Sequence, residues 1–431
     1  QKLKNMNIRI DNAYVFFSSG EVKRSNLAIE GDIIKYVGDI PSDFVAERVI
    51  DGTDKFVTPG FINAHTHASM TLLRSYADDM KLMDWLTTKI WPIEEKLTRE
   101  DIYWGAQLAA VEMIKSGTTC FADMYGPYMD EVAKSTIESG MRGVLSRCML
   151  DFSAPENPRI DEGIALFKEF NRAANRRIKV MFGPHAPYTC PPEYLRKVGE
   201  EAKKLGAEIH IHMCETVIET QNIQKQYGMS PFEYVESTGL FENETMAAHC
   251  VHLNEKDIRI MKKYDIRVVH NPVSNMKLAS GSCPVTRLLD EGIMVGLGTD
   301  GASSNNNLDM IEEMKFAALL EKSYLYDPTA VDAETALHMA TTYGAYVINV
   351  PNIGRIAPDF KADLVIHNLN SAEWCPRHNL VSLLVYSASN STVETVICDG
   401  NILFDHGVLT TLDEEKIIHE ASRCARKLME R

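Results

Sequence analysis

Pro59-Gly60-Phe61-Ile62-Asn63-Ala64-His65-Thr66-His67 is the stretch from which the architecture is read. An apolar run ends in two histidines separated by one residue. Because a β-strand has a side-chain period of two, both imidazoles point to one face. Two imidazoles offered together at a strand end suit a divalent metal of the zinc type, which accepts nitrogen and oxygen donors. By itself the pair also fits two packed or solvated histidines beside a turn. Its meaning depends on what else the chain brings to the same place.

Downstream of residue 59 the sequence alternates short apolar runs with helical stretches, the texture of βα units around a parallel sheet. Eight candidate strands occur, at residues 61–65, 118–123, 142–148, 179–184, 208–213, 246–250, 266–270 and 294–299. Between them, residues 99–116 place Ile102, Ala106, Ala109 and Met113 on one helical face, and 192–205 and 255–264 behave similarly. Eight such units over about 300 residues match a (β/α)8 barrel, whose reactive groups lie at the C-terminal ends of the strands. On pattern alone a doubly wound sheet also fits.

Upstream, residues 7–17 and 27–37 and the brief run 48–50 read as short strands, with Glu30-Gly31-Asp32 and Asp51-Gly52 as turns. After Gly354-Arg355-Ile356-Ala357-Pro358 strands return at 364–367, 393–398 and 402–404, followed by a closing helix over 413–429. The expected fold class is therefore α/β: a TIM-type barrel over residues 59–356, with a small composite β-sandwich domain built from both chain ends, residues 1–58 and 357–431. Residues 1–5, which precede Met6, are set aside as an extension.

Composition narrows the class further. The chain has 431 residues, 45% of them hydrophobic and 24% charged, as in an ordinary globular protein. A net charge of −15 argues against tracking nucleic-acid phosphates, which needs clustered Lys and Arg. There is no apolar run of the roughly 20 residues that cross a bilayer and no apolar leader at the start, so a cytoplasmic location is expected. The nine cysteines are scattered without a C-x-x-C pair, so reduced thiols are expected rather than a zinc ribbon or disulfides.

Applied to the eight strand ends, the barrel rule collects His65 and His67, His185, His212, His249, His270 and Asp300 at one rim. In this arrangement the chain resembles the amidohydrolase superfamily, with its strand-one H-x-H, its strand-five and strand-six histidines and its strand-eight aspartate. More narrowly, His212-Met213-Cys214-Glu215, Ala248-His249-Cys250-Val251-His252 and Gly298-Thr299-Asp300-Gly301 are similar to the deaminase branch. Asp84-Trp85-Leu86, Ile90-Trp91-Pro92-Ile93-Glu94 and His270-Asn271-Pro272-Val273-Ser274-Asn275-Met276-Lys277-Leu278 resemble the subgroup that deaminates S-adenosylhomocysteine and 5′-methylthioadenosine.

The resemblance implies one divalent metal, zinc first and iron or manganese as alternatives, held by His65, His67, His212 and Asp300. Metal binding lowers the pKa of a water from about 15.7 toward roughly 7 to 9. Superfamily members with two metals usually bridge them by a modified lysine at the end of strand four, where this chain has Pro184-His185, so one metal is expected. Glu215 would protonate the ring nitrogen beside the attacked carbon, Asp300 would take the water proton to the leaving ammonia, and His249 would polarise and position the nucleophile. Glu94 is implied for the ribose hydroxyls, Arg147 and Arg159 for an amino-acid carboxylate, His185 for the sugar or base, and Trp85 as a further substrate contact. The implied partner is a small nucleoside, with no nucleic acid and no membrane, and with a homo-oligomer left open.

Other residues read more plainly. His210 is expected to be a packed core histidine, His252 and His270 hydrogen-bonded structural residues, and Cys214 an inert small thiol. Met70, Met80 and Met83 are expected in the core or lining the pocket. Gly296-Leu297-Gly298-Thr299-Asp300-Gly301 satisfies G-x-G-x-x-G, but the polar Ser303-Ser304-Asn305-Asn306-Asn307 follows where a dinucleotide site would open a helix. The rival functions are deamination of another heterocycle such as guanine, a triazine chlorohydrolase, and a barrel that has lost catalysis and only binds.

Overall fold

The computed structural model describes residues 6–152 and 156–431, so residues 1–5 and Pro155 lie outside the described residues. Five strands come first: β1 (Ile8–Phe16), β2 (Val22–Glu30), β3 (Ile33–Val37), β4 (Arg48–Asp51) and β5 (Lys55–Pro59). The Glu30-Gly31-Asp32 turn joins β2 to β3 as an antiparallel hairpin, with Gly31 at φ +64°. The β5 strand has no counterpart in the sequence reading. Its residues Phe56, Val57, Thr58 and Pro59 are buried on both faces, so the alternation that marks a half-buried strand is missing.

The eight expected barrel strands are present as β6 (Phe61–Thr66), β7 (Thr118–Tyr125), β8 (Arg142–Met149), β9 (Ile178–Pro184), β10 (Ile209–Met213), β11 (Thr245–His249), β12 (Arg267–His270) and β13 (Val295–Leu297). They pair in parallel and in strict chain order from β6 to β13. A doubly wound sheet would reverse its strand order at a switch point, so that alternative is excluded. The ring is shut by a short seam. The Asp300 N–H donates to the His65 carbonyl at 2.9 Å, and the Thr299 N–H donates to Asn63 Oδ1 at 3.0 Å. Gly298 is required there, because a Cβ would lie 2.6 Å from the His65 nitrogen.

Helices cover the ring. Arg99–Lys115 opens with a reciprocal cap between Thr98 and Asp101 and buries Ile102, Ala106, Ala109 and Met113, the face read from its period. Pro192–Leu205 and Glu255–Lys263 also form within a residue of expectation. The connection after β6 was not read as helical, yet it folds as Leu82–Trp85, a π-helical turn over Leu86–Ile90, and Trp91–Glu94. Leu82, Trp85, Leu86, Ile90 and Ile93 face inward. Met83 therefore points away and is 38% exposed, which corrects its assignment to core or pocket. The G-x-G-x-x-G segment is followed by turns, and the next helix starts only at Met310.

The chain ends meet in one nine-stranded mixed sheet. It is completed by β14 (Leu364–Asn368), β15 (Val393–Cys398), β16 (Asn401–Asp405) and β17 (Val408–Leu409), with β14 antiparallel to β5 and β5 parallel to β1. Ile8, Ile10, Leu27, Ile34, Leu364 and Ile366 share its apolar core. Arg142, at the start of β8, reaches Asp363 at 3.0 Å and Asp399 at 3.1 Å, a buried pair that fixes the barrel against this sheet. The closing helix Glu414–Glu430 lies on Arg99–Lys115. Among the described residues no helix is long and apolar enough to cross a membrane, and all nine cysteines are free.

Candidate active site

Strand ends place the rim residues around one cavity of about 340 Å³. His65 is the penultimate residue of β6 and His67 follows the strand, His185 follows β9, His212 lies in β10, His249 ends β11, and Asp300 follows β13. His67, His185, His212, Glu215, His249 and Asp300 line the cavity, and His65 lies buried against them. His270 does not belong there. It is buried, burial pushes it down to about 3, and neither ring nitrogen meets a side chain or backbone partner. His252 holds the expected hydrogen-bonded structural role, with Nε2 2.7 Å from the Ser280 carbonyl.

Hydrogen bonds fix how each imidazole is presented. A carbonyl can only accept, so a ring nitrogen beside one must carry the proton and leave its other nitrogen's lone pair free. His67 Nδ1 donates to the Met124 carbonyl, and His212 Nδ1 to the His185 carbonyl at 2.6 Å. His249 Nδ1 lies 2.9 Å from Asn275 Oδ1, and His65 Nδ1 lies 2.8 Å from His210 Nε2. All four therefore turn Nε2 toward the cavity. His67 Nε2 stands 3.1 Å and His65 Nε2 3.4 Å from Asp300 Oδ1. Two overlapping groups of closely spaced ligand atoms share His65, one with His67 and Asp300, the other with His212 and His249. His65 Nε2 is buried without a hydrogen-bond partner, as a lone pair meant for a cation would be. This nitrogen-and-oxygen donor set fits a divalent metal of the zinc type.

Next to the donors sits a buried carboxyl group. Glu215 Oε2 is 3.6 Å from His249 Nε2, and Asp300 Oδ2 is 3.9 Å from the same nitrogen. Burial raises the Glu215 carboxyl above its ordinary range, which favours its protonated form. Ser274 donates to Asp300 Oδ2 at 2.7 Å and the Gly301 N–H to Oδ1 at 2.9 Å, so both carboxylate oxygens are held. Cys214, His249 and Asp300 all have positive φ, at +51°, +73° and +59°. Such backbone is costly for non-glycine residues and clusters at working sites.

Toward the mouth the lining changes character. Leu82, Trp85, Leu86 and Ile90 form an apolar wall, and Trp85 Nε1 is a buried donor without a partner. Glu94 is hydrogen-bonded to Tyr125, and burial pushes its carboxyl up to about 7. His185 is pushed down to about 3 by burial and stays neutral, with Nδ1 2.8 Å from Thr189 Oγ1. Arg147 and Arg159 both line the cavity. Arg147 is already engaged, its Nε 2.6 Å from Glu162 Oε2 and its Nη1 2.8 Å from the Cys148 carbonyl. Arg159 opens the helix Arg159–Phe170, with Nη1 3.3 Å from Asn157 Oδ1. The Trp91 and Phe152 rings meet 5.2 Å apart across the entrance.

Four residues contribute in ways the sequence reading did not give. His210, expected to be only packed, bonds directly to His65, and the signal was its place two residues before His212 on the same strand face. Ser274 and Asn275 hold Asp300 and His249, and lie in the quoted His270-to-Leu278 motif. Glu219 accepts the backbone N–H of Glu215 at 2.8 Å.

The amidohydrolase family pattern matches residues 56–403. A 5-methylthioadenosine/S-adenosylhomocysteine deaminase of Pelotomaculum thermopropionicum is 49% identical over 431 residues, covering 99% of both chains. Its counterpart in Syntrophomonas wolfei is 49% identical over 430 residues, covering 98% of this chain and all of the other. Among solved structures, an adenosine deaminase from Xanthomonas campestris with bound zinc superposes with a TM-score of 0.92 at 33% identity, covering 98% of this chain and 99% of that one. An atrazine chlorohydrolase from Arthrobacter aurescens complexed with zinc gives a TM-score of 0.90 at 21% identity, covering 97% and 100%, a likeness of fold.

Proposed function

Because the chain belongs to the amidohydrolase family, we propose that it hydrolytically deaminates the adenine ring of S-adenosylhomocysteine, 5′-methylthioadenosine and adenosine, giving the inosyl product and ammonia. The observation that carries this reading is a set of imidazoles with fixed tautomers beside Glu215, at the floor of a cavity whose mouth holds Glu94 and two arginines. His65, His67, His212 and Asp300 are the proposed ligands of a single divalent metal, zinc first. No lysine lines the cavity among the described residues, which supports one metal rather than two. When bound, such an ion lowers the pKa of a water toward neutrality.

The chain's residues then manage protons. Asp300, with His249 beside it, takes one proton from the attacking water as its oxygen bonds to the ring carbon that bears the amino group. Glu215 gives its proton to the adjacent ring nitrogen, so negative charge does not accumulate on the ring. The proton on Asp300 passes to the amino nitrogen, the carbon–nitrogen bond breaks and ammonia leaves. The proton left on the new oxygen returns to Glu215, forming the carbonyl and restoring both acids. General acid–base help of this kind contributes about 10² to 10⁴-fold.

Glu94 is assigned to the ribose hydroxyls, His185 through its free Nε2 to the sugar or base, and Trp85 through its unpartnered indole N–H to a substrate acceptor. Arg147 and Arg159 are assigned to the carboxylate of a homocysteine tail, because a guanidinium fork matches that group. These contacts favour a nucleoside with an acidic tail over guanine or a triazine. The test is a comparison of kcat/KM for adenosine, methylthioadenosine, S-adenosylhomocysteine, guanine and cytosine, together with Glu215→Gln. That variant should keep its metal and lose at least about 10²-fold in kcat. Near-normal turnover with full metal content would remove Glu215 from the mechanism.

A further inference from the structure

Glu219 is 5% exposed and does not line the catalytic cavity, so it cannot touch the substrate, yet both of its carboxylate oxygens face the turn that carries Glu215. Oε1 accepts the Cys214 N–H at 3.3 Å and Oε2 accepts the Glu215 N–H at 2.8 Å. The turn between them is strained, with Cys214 at φ +51°. Its other side is held as well, because the Cys214 carbonyl accepts the N–H groups of Val251 and His252, each at 3.0 Å. That second clasp ties the turn to the loop that follows His249.

The local sequence explains why a carboxylate is found there. Thr216 caps the helix Val217–Tyr227, its Oγ1 accepting the Glu219 N–H at 3.2 Å. A Glu three residues after a Thr cap ordinarily reaches back to the cap residue's own N–H. Here the side chain meets the Thr216 N–H and also reaches the two residues before the cap, one of which is Glu215 itself. We propose that Glu219 is a positioning residue for Glu215, its two oxygens clamping the left-handed turn so that the Glu215 carboxyl is held beside His249. This rests on the reading of Glu215 as proton carrier. A buried carboxyl group is suited to the task because its two oxygens can accept from two amides at once; burial pushes it up to about 8, and the N–H groups of Glu215, Cys214 and Thr216 pull it back toward the ionised form. A glutamine offers one acceptor and sets an N–H₂ against the other amide.

The proposal is tested with a double-mutant cycle on the metal-loaded enzyme, comparing wild type, Glu219→Gln, Glu215→Gln and the double variant, with metal content, kcat and KM measured for each. Glu219→Gln should keep one metal and a KM within about threefold, and lose roughly ten- to a hundredfold in kcat, as expected when a catalytic group is displaced by a fraction of an ångström to an ångström. In the Glu215→Gln background the same change should cost nothing further, because the group it positions can no longer deliver a proton. Glu219→Asp, which keeps the acid on a shorter arm, should lie between wild type and Glu219→Gln, and serves if Glu219→Gln folds poorly. An equal loss in both backgrounds, or an unchanged kcat in Glu219→Gln, overturns this inference alone. Near-normal turnover of Glu215→Gln overturns the proton-carrier reading and this inference with it.

Discussion

The two ends of the cavity are built differently. At the floor, His67 and His212 are fixed by backbone carbonyls and His249 by a buried amide, so their orientation is set by the barrel itself. At the mouth, Arg147 and Arg159 lean on side chains that can be exchanged, Glu162 and Asn157, with Arg147 keeping one backbone bond to the Cys148 carbonyl, and the Glu162 side chain is 42% exposed. In the proposed reaction the floor groups do chemistry that tolerates little displacement. In the proposed assignment the mouth groups meet a variable tail, and a partner that can be displaced would let one arginine serve substrates with and without a carboxylate. The floor should thus be sensitive to every change in its supports, whereas the mouth should trade one substrate against another.

The largest effect should come from emptying the floor. Stripping the metal with a chelator is expected to abolish ammonia release, and reloading with about one zinc per chain to restore it, followed by elemental analysis. Two tightly held ions per chain would break the assignment of a single site. Next in size, His210→Leu removes the partner of His65 and should weaken zinc binding by about 10- to 100-fold, read by competition with a chelating dye. Unchanged affinity would mean that His65 is oriented by packing alone.

At the mouth, Arg147→Met should shift the ratio of kcat/KM by roughly three- to tenfold toward 5′-methylthioadenosine and away from S-adenosylhomocysteine. A charge-assisted bond contributes about 1.5 to 3 kcal/mol, but exposure of the partner group screens part of it. Equal losses on both substrates would place Arg147 in support of the fold or the purine site. The smallest effect concerns pH. With its carboxyl at about 7, Glu94 is protonated below that pH and ionised above it, and only the ionised form accepts from both ribose hydroxyls. KM should therefore fall severalfold between pH 6 and pH 8, and Glu94→Gln should flatten the change. A KM profile that is the same in both proteins would detach Glu94 from the ribose.

Most of the floor was legible in the sequence because its residues sit at or just after strand ends, where a period-two pattern and the barrel rule place a side chain without further knowledge. His65, His212 and Asp300 needed only the strand count. The mouth was less legible because it depends on how a long connection folds against others. The helical turns over 82–94, one of them π-helical, carry Trp85 and Glu94 but show no sustained amphipathic period. His210 is packed in the core as expected, and its bond to His65 was not legible, because a strand pattern gives the depth of a side chain but not the partner it meets.

One feature of the fold bears on how the protein loses its shape. The seam that shuts the barrel is made by the residues on either side of the proposed metal position, since the Asp300 amide bonds to the His65 carbonyl. Two ends of the sheet that are more than two hundred residues apart in sequence are thus stitched at the spot where both chains of ligands converge. A bound ion would act as a rivet across this stitch. Ligand binding at a concentration 100 times its dissociation constant stabilises a folded state by about 2.7 kcal/mol, and here that gain would oppose a particular motion, the parting of the first and last barrel strands. The amides of Thr299 and Asp300 would then exchange with solvent deuterium faster in the stripped protein than in the loaded one, while amides of the nine-stranded sheet keep the same rate.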